Sequence, residues 1–473
     1  MNITPVEKKA GGVLLESRNA YVWIISLTAG LGGLLFGYDW VVIGGAKPFY
    51  EAYFHLNDAS LQGWAMSCAL VGCLLGAGIS GNLSDRFGRK RLLILAAFLF
   101  AISSLGTASA QTFNAFVVWR ITGGMAIGLA SNLSPLYISE VSPADLRGRL
   151  VSLNQLNIVI GILLAQVVNW LIARPLPANA TAFDILHSWN GQHGWRWMFG
   201  VTAIPALLFF IGMLVVPESP RWLAKIGQHA NARRVLLRIG GDEHCTHAIK
   251  EIEASLQGEM SAPTLKDLLD PTLMKILLLG VVLAVFQQWC GINVIFNYAE
   301  EVFAAAGYKV SDLLLNIVVT GAVNLVFTIV AIGFVDRVGR RKLMLVGSAG
   351  LAIIYTVLGA GYYEHSHGIH MLILVVLAIA CYAMSLAPVT WVVIAEIFPN
   401  RIRGTAMSIA VMALWAACFI LTYTFPLLNH GLGAATTFWI YAGICVAGFV
   451  FITRRLPETK GKTLEEIEQS WKN

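Results

Sequence analysis

The stretch AYVWIISLTAGLGGLLFGYDWVVI, residues 20–43, decides the fold class of this chain. It provides the ~20 apolar residues that an α-helix needs to cross a bilayer. Asp39 is its only acidic side chain, and the stretch contains no Lys, Arg or His. A carboxylate at the centre of such a helix costs about 2.5–3.5 kcal/mol on insertion scales, so it is usually paired, hydrated or functional. The stretch therefore predicts a transmembrane helix with a functional aspartate.

The composition extends this prediction to the whole chain. Of the 473 residues, 57% are hydrophobic and 13% are charged, whereas soluble domains carry about 25% charged residues. Such a chain cannot cover a water-facing surface, which indicates a multi-pass membrane protein with the lipid bilayer as a partner. The first eighteen residues lack the apolar segment of a signal peptide. Membrane topology explains the net charge of +6 better than nucleic-acid binding does.

Twelve apolar runs are long enough to span the membrane. They lie near residues 20–45, 61–83, 92–110, 114–139, 150–173, 196–216, 273–303, 311–335, 343–363, 370–397, 404–428 and 434–454. The sequence thus predicts an all-α integral membrane protein whose twelve transmembrane helices form two pseudo-symmetric six-helix bundles. The predicted parts are a tail (1–19), the first bundle (20–216), a linker (217–272), the second bundle (273–454) and a second tail (455–473).

The linker is the only long polar segment, and its apolar residues recur at helical spacing, as in Val235, Leu236 and Ile239. This spacing predicts short helices, which serve either as a plain connection or in gating.

The Lys and Arg residues orient the predicted helices. With the N-terminus inside, most of the 33 basic residues fall in cytoplasmic segments. The exceptions are Lys47, Arg120, Arg174, Arg196 and Lys309. We therefore expect both termini on the cytoplasmic side. The seven cysteines are odd in number and contain no C-x-x-C pair, which argues against a disulfide framework or a metal site.

Three charged motifs occur in both halves of the chain. DRFGRK at 85–90 is matched by DRVGRR at 336–341, and PES at 217–219 is matched by PET at 457–459. In each half a glutamate also precedes an Arg-Gly pair by seven residues. Their recurrence in the same order indicates a duplicated six-helix unit. Two such units bind a substrate between them near the membrane midplane, and rocking exposes it to each side in turn.

We interpret these charged residues as a cytoplasmic gate, in which ion pairs and helix-end contacts hold the halves together on the inside. Its predicted members are Asp85, Arg86, Arg89, Glu140, Arg147, Glu218, Asp336, Arg337, Arg340, Glu396, Arg403 and Glu458. The alternative is that the basic residues only set the topology. Topology does not require the acidic residues, which favours the gate.

Several motifs together carry a family resemblance. GNLSDRFGRK at 81–90, PESPRWL at 217–223, QQWCGIN at 287–293 and PETKGKTLEEIE at 457–468 resemble the sugar porter family of the major facilitator superfamily. The DRxGR motif alone would indicate only the superfamily, whereas the other three are more specific. The resemblance covers residues 20–468.

The resemblance implies a sugar site built mainly from the second half. The residues that match the family's sugar-binding positions are Phe36, Gln155, Ile162, Gln287, Gln288, Asn293, Phe296, Asn324 and Trp391. The chemistry agrees, because an amide both donates and accepts hydrogen bonds to hydroxyls, and an indole covers the apolar face of a sugar. The alternative for each Gln or Asn is a hydrogen bond between helices.

The identity of the sugar depends on two of these positions. In the resemblance, pentose-type members of the family carry Gln and Leu where this chain has Ile162 and Phe296, and glucose-type members resemble this chain. We therefore expect D-glucose or a similar hexose. The chain departs from the family pattern at Asn297, Ala387 and Leu414, and these departures affect specificity and affinity.

Asp39 and Arg120 are the predicted proton-coupling residues. In the family, proton-coupled members resemble this chain in having Asp in the FGYD motif, and its partner Arg matches Arg120 in VVWRITGG. Burial favours a neutral Asp and a nearby Arg favours a charged one, so a change in their contact moves a proton. The alternative is a static ion pair between two helices.

The leading interpretation is a monosaccharide–proton symporter that works by alternating access, as a monomer, in a bacterial inner membrane. The alternatives are a facilitative sugar uniporter, a xylose-type pentose symporter, a sugar sensor and a multidrug exporter. We expect no enzymatic activity, because the sequence contains no nucleophile–base constellation or nucleotide-binding loop. We expect no cofactor, with the proton as the coupling ion.

Overall fold

The computed structural model describes residues 5–177, 180–258, 270–307, 310–398, 403–458 and 460. Every regular element within these ranges is helical, so the predicted all-α fold class is confirmed. The α-helices of the first half are α1 (Pro5–Phe54), α2 (Ala59–Phe87), α3 (Arg89–Ser109), α4 (Phe113–Val141), α5 (Ala144–Ile172), α6 (Ala182–His187), α7 (Trp195–Gly200) and α8 (Ala203–Val215). A π-helix, Asn190–Gly194, precedes α7.

The linker contributes two helices and the second half contributes eight. Those of the linker are α9 (Pro220–Lys225) and α10 (His229–Gly258). Those of the second half are α11 (Pro271–Trp289), α12 (Ile292–Asn297), α13 (Ala299–Ala305), α14 (Val310–Val338), α15 (Arg340–Tyr363), α16 (Ile369–Met384), α17 (Leu386–Ile397) and α18 (Arg403–Arg455).

Among the described residues, eleven helical segments are long and apolar enough to cross a membrane. The last of them, Thr405–Arg455, contains two spans, because the chain breaks at Gly433 with a φ of 79°. Only glycine adopts such a conformation at little cost. The described part of the chain therefore holds the twelve predicted spans.

Close helix packing in the first half depends on glycine. A Cβ atom at Gly124 of α4 would overlap the carbonyl oxygen of Ala69 in α2. A Cβ atom at Gly37 of α1 would likewise overlap the carbonyl oxygen of Ile158 in α5. Small residues let helix backbones approach closely where no hydrophobic effect drives them together. Gly37 thus lets α1 pack closely against α5 beside Phe36 and Asp39.

The two halves meet at the end where α1 finishes and α2 begins. The backbone of Gly44 in α1 packs on α12, where an added Cβ would lie 2.9 Å from the carbonyl oxygen of Asn297. Gly63 of α2 packs still more closely on the backbone of Tyr423 in α18. Farther along, Gln166 of α5 touches Gly321 of α14. Backbone contact of this kind closes the bundle at this end. Following the topology that the basic residues predict, we call it the outer end and the opposite end the cytoplasmic end.

The linker helices dock on the first half. Trp222 of α9 is buried, and its indole Nε1–H donates to the carbonyl oxygen of Asp85 over 2.9 Å. Trp222 packs in a small apolar cluster with Leu223 and Ala232. The predicted short helices of the linker are thus present, and α10 is divided at Gly241, where φ is 84°.

Candidate functional site

The amide residues of the QQWCGIN motif form a hydrogen-bonded chain. Gln287 and Gln288 end α11, and a turn at Gly291 (φ 87°) brings Asn293 of α12 back toward them. Gln287 donates to the Tyr382 hydroxyl over 2.6 Å, and Gln288 donates to the Gln287 carbonyl oxygen over 2.6 Å. Asn293 in turn donates to the Gln288 carbonyl oxygen. The structure therefore brings three predicted sugar-binding amides together, with amide groups left to bind a ligand.

An aromatic group forms where α1 meets α18. The ring of Trp415 in α18 lies 5.7 Å from that of Phe36 and 6.0 Å from that of Trp40, centre to centre. Phe36 and Trp40 pack edge to face at 6.3 Å. Trp391 of α17 is 37% exposed. These rings provide the flat apolar surfaces that a sugar ring requires.

The remaining predicted sugar residues lie on other helices. Gln155 is half-buried on α5, Ile162 is buried one turn before Gln166 of the same helix, and Phe296 is buried on α12. Asn324 is buried on α14, one turn from the point where Gln166 touches Gly321. The contact between α5 and α14 thus places Ile162 and Asn324 at neighbouring levels of the two halves.

Asp39 and Arg120 form a buried ion pair between α1 and α4. The Arg120 Nη1 atom lies 2.9 Å from both carboxylate oxygens of Asp39, and Nη2 lies 3.4 Å from the Asp39 carbonyl oxygen. The two side chains are 7% and 3% exposed. The guanidinium also lies over the ring of Phe199 at 5.3 Å. Removal of either charge would leave the other without its counter-ion in an apolar surrounding.

A small cavity of about 10 Å³ adjoins this ion pair. Its lining includes Trp40, Cys73, Arg120 and Asn297. Its volume is about that needed by one water molecule. The buried Nε of Arg120 and the buried Oδ1 of Asn297 have no hydrogen-bond partner among the described residues. A single water here could supply those hydrogen bonds and lie beside the guanidinium that holds Asp39.

The charged motifs of the first half interact with one another. Arg89 binds Glu140 through two hydrogen bonds of 3.0 and 3.1 Å, and it also lies 3.2 Å from Asp85. Asp85 pairs with Lys225 of α9 at 3.0 Å. Glu218 accepts hydrogen bonds from two backbone N–H groups at the start of α3, each 3.1 Å long. A carboxylate at a helix N-terminus complements the helix dipole, while burial raises the pKa of Glu218 above its ordinary value.

The second half repeats this arrangement. Arg340 lies 3.2 Å from Glu396, and Glu458 accepts the backbone N–H of Arg340 over 2.9 Å. Arg86, Arg147 and Arg337 are exposed, and the side chains of Asp336 and Arg403 lie outside the described residues. In the part of the chain described here, the Arg89–Glu140 and Arg340–Glu396 pairs each lie within one bundle. The linker residues Glu218 and Lys225 contact the first bundle, and Glu458 of the second tail contacts the second. Their role as a gate between the halves stays a prediction.

Sequence reasoning missed several residues of this region. Tyr382 ends the amide chain, and Trp40 and Trp415 complete the aromatic group. Trp40 directly follows Asp39 in FGYDW, and Trp415 is the one aromatic residue of MALWAAC, so each is a large ring inside a predicted span. That pattern could have identified the tryptophans, whereas nothing in the local sequence relates Tyr382 to Gln287.

Comparison with known proteins agrees with this architecture. The family model described as "Sugar (and other) transporter" matches residues 25–471. The chain therefore belongs to the sugar porter family of the major facilitator superfamily and is a multi-pass membrane protein.

Individual relatives are similar over nearly the whole chain. The arabinose-proton symporter of Bacillus subtilis is 40% identical over 473 residues, with 100% of both chains covered. The D-xylose-proton symporter of Escherichia coli is 40% identical, with 96% of this chain and 97% of that one covered. The glucose transport protein of Synechocystis is 40% identical, with 94% and 97% covered.

Among solved structures, the inward-open conformation of the xylose transporter XylE from E. coli matches with a TM-score of 0.83. It is 39% identical, with 95% of this chain and 100% of that chain covered.

Proposed function

We propose that this protein is a secondary active transporter that imports a monosaccharide together with a proton by alternating access. The buried Asp39–Arg120 ion pair carries the proposal, because a static sugar channel has no need of a carboxylate inside an apolar helix. The pair lies on α1 and α4, and α1 also supplies Phe36 and Trp40 to the aromatic group. A change in either site therefore reaches the other through one helix.

The sugar would bind between the halves. Its hydroxyls pair with the amide chain of Gln287, Gln288 and Asn293, and its C–H face packs on Trp391. Amide and indole groups bind a neutral sugar without any charge. The charges of the site are therefore those of the Asp39–Arg120 ion pair. Gln155 and Asn324 extend the polar surface onto α5 and α14.

The proton would act on the contact between Asp39 and Arg120. Arg120 stays charged throughout, whereas Asp39 becomes neutral when it leaves the guanidinium within an apolar surrounding. The small cavity beside Arg120 would admit the water that delivers the proton. One proton moving down 100 mV supplies about 2.3 kcal/mol, which supports a sugar gradient of about forty-fold.

The orientation belongs to the same proposal. The bias of Lys and Arg favours cytoplasmic termini, and the named bacterial relatives favour the inner membrane. Closure at the outer end and similarity to an inward-open structure support an inward-facing state for this molecule. The charged motifs would then form the cytoplasmic gate in the opposite state, and a single chain contains all the parts that the mechanism requires.

We infer a hexose such as D-glucose as the substrate, because Ile162 and Phe296 are apolar and buried on opposite halves. The named relatives favour a second candidate, a pentose, since two of them are arabinose and xylose symporters and one is a glucose transporter. Apolar side chains at both positions favour a hexose over a pentose. They offer fewer hydrogen bonds than a Gln would and more apolar contact, which suits the sugar with the additional carbon.

The test is uptake of radiolabelled D-glucose into energised membrane vesicles of known orientation, with and without an uncoupler. Accumulation that the uncoupler abolishes supports sugar–proton symport, and uptake that ignores the uncoupler would make the protein a uniporter. Competition by unlabelled xylose, arabinose, galactose and fructose ranks the substrates. The proposal would be contradicted if the protein neither bound nor took up any of these sugars.

A further inference from the structure

A second buried charged group lies at the outer end, away from the Asp39–Arg120 pair. The Lys47 ammonium is 2.7 Å from Glu301, 3.0 Å from Glu51 and 3.7 Å from Glu300. The Lys47 side chain is 3% exposed. Lys47 and Glu51 belong to α1 of the first half, whereas Glu300 and Glu301 belong to α13 of the second. We call these four residues the outer clamp, because their ion pairs join the two halves.

The outer clamp holds more acidic than basic groups. Three carboxylates surround one ammonium, and all four side chains are largely removed from water. Burial and mutual repulsion both favour the neutral form of a carboxyl group, and one lysine cannot neutralise three carboxylates. Burial raises the pKa of Glu300 above its ordinary value, an effect that Lys47 opposes.

One atom of the clamp points directly to a bound proton. The Oε1 atom of Glu51 is buried and has no hydrogen-bond partner among the described residues. An ionised carboxylate loses hydration at this oxygen without gaining a hydrogen bond there, although its other oxygen lies 3.0 Å from the Lys47 ammonium. A protonated Glu51 or Glu300 removes one of the excess charges, and its O–H can donate to a neighbouring carboxylate.

Among the residues that the structure describes, those around the clamp do not supply a second cation. On α1, the Tyr50 hydroxyl donates to the sulfur of Met66. From the second half, the ring of Tyr298 lies 5.9 Å from the Lys47 ammonium, and its hydroxyl donates to the Thr422 carbonyl oxygen. The Asn429 amide donates to Glu301 over 3.3 Å. These neighbours are neutral, so the charge imbalance of the clamp remains.

We propose that the outer clamp binds a proton from the outer solution whenever the outer ends of the two halves close. This rests on the proposed transport cycle, in which these ends separate to admit sugar. On separation the carboxylates return to water and the proton returns to the same solution. The proton is therefore not carried across the membrane, and it acts by shifting the balance between the open and closed outer end.

The direction of the pH effect follows from linkage. The closed clamp binds the proton more tightly than separated carboxylates do, so acid favours closure. The effect begins above the ordinary pKa of a glutamate, about 4.3. From there, the ratio of closed to open molecules falls by up to about tenfold for each pH unit, since one proton is involved. The fall ends once the closed clamp itself has lost the proton.

The experiment measures the outer ends directly, without any sugar. Spin labels at Gln111→Cys and Glu364→Cys lie on exposed turns of the two halves at the outer end. The partly buried Cys381 is replaced by Ser, and the other six cysteines are buried. Distances between the labels are measured by double electron–electron resonance on the full chain in lipid nanodiscs, from pH 5 to pH 8. Asp39→Asn in the background removes the proposed coupling proton.

The proposal predicts that the closed fraction decreases with pH in this background. Glu300→Gln should reduce the pH response to less than twofold over the range, and Glu51→Gln serves as a second variant if the first does not fold. Asp58→Asn is the matched control, since Asp58 is an exposed acid at the same end and Asn also caps a helix well. It should keep the full response.

Two results would overturn the outer clamp as a proton site. One is an equal pH response in Asp58→Asn, Glu300→Gln and Glu51→Gln, and the other is a closed fraction that does not change with pH in the control. A protein that transports no sugar but shows the expected distances would contradict the proposed function and leave the clamp supported. The two proposals therefore fail separately.

Discussion

The two ends of this molecule arrange their charges differently. At the outer end, Lys47 of the first half lies 2.7 Å from Glu301 of the second, so the ion pairs cross between the halves. At the cytoplasmic end, Arg89 pairs with Glu140 and Arg340 pairs with Glu396. Each of those described pairs stays within one half.

This difference separates pairs that must break during transport from pairs that need not. When one half rocks against the other, a contact between the halves is made and lost in each cycle. A contact within a half moves as part of a rigid body, and it can therefore be strong. A crossing contact has to be adjustable, and an excess of carboxylates that bind a proton provides this adjustment.

The largest expected effect comes from removal of the crossing cation. Lys47→Met leaves three carboxylates together without a counter-ion, and loss of one partner from a buried ion pair costs about 3–5 kcal/mol. The outer ends should then separate at neutral pH, which the spin-label distances would report. Lys47→Arg keeps the charge and serves as the matched control. An unchanged closed fraction in Lys47→Met would show that the clamp does not hold this end.

The pairs within each half should affect stability, and by different amounts. Glu140→Gln removes a carboxylate that binds Arg89 through two hydrogen bonds, with side-chain exposures of 5% and 8%. Glu396→Gln removes a single 3.2 Å contact to the more exposed Arg340. We expect losses of about 2–3 kcal/mol for the first and about 1 kcal/mol or less for the second.

Thermal unfolding followed by tryptophan fluorescence checks this order. A larger loss of melting temperature in Glu396→Gln than in Glu140→Gln would contradict it.

The same comparison shows what the sequence could and could not predict. The apolar runs and basic residues predict the spans, because lipid requires continuous helices and the topology depends on local charge. Asp39 and Arg120 each stand out as a charge inside an apolar run, and the family resemblance predicted that they pair. The first run was predicted to end at residue 45, but α1 continues to Phe54, and Lys47 in the additional part is paired with Glu51, Glu300 and Glu301.

The remaining residues depend on contacts between distant segments. Two of the partners of Lys47, Glu300 and Glu301, lie about 250 residues away in the other half, and Tyr382 lies 95 residues from Gln287. No local pattern joins such positions, because the close approach of the halves brings them together. The amides of the QQWCGIN motif lie within seven residues of one another, and the family resemblance of that motif predicted them.

Substitutions at two glycines test, without any change of charge, whether close backbone packing keeps the outer end closed. Gly44→Ala places a methyl group 2.9 Å from the Asn297 carbonyl oxygen, so α1 and α12 must move apart by a few tenths of an ångström. Overpacking of this kind costs about 1–3 kcal/mol. Gly81 of α2, near the cytoplasmic end, has no atom within 4 Å of its added Cβ, and Gly81→Ala is the control.

We expect Gly44→Ala to open the outer end in the spin-label assay and Gly81→Ala to leave it closed. Equal behaviour of the two variants would mean that close backbone packing does not decide which end is shut.

The smallest expected effect concerns the sugar between the ends. Ile162→Gln adds an amide beside the α5–α14 contact, where it can bind a hydroxyl in place of the apolar side chain. The ratio of xylose to glucose kcat/KM should rise several-fold, which corresponds to about 1 kcal/mol of differential binding. Ile162→Leu keeps the site apolar and should preserve the ratio. If Ile162→Gln keeps the wild-type ratio of xylose to glucose kcat/KM, Ile162 does not determine the sugar specificity.

The most direct test of proton-coupled import is the proton movement that sugar itself causes. Glucose is added to lightly buffered, de-energised cells that express the protein, and the external pH is recorded. We predict that the medium becomes alkaline with the wild type, and that Asp39→Asn gives no pH change while still exchanging labelled for unlabelled sugar. A wild type that exchanges sugar without alkalinisation, or an Asp39→Asn variant that still moves protons with sugar, would contradict the account.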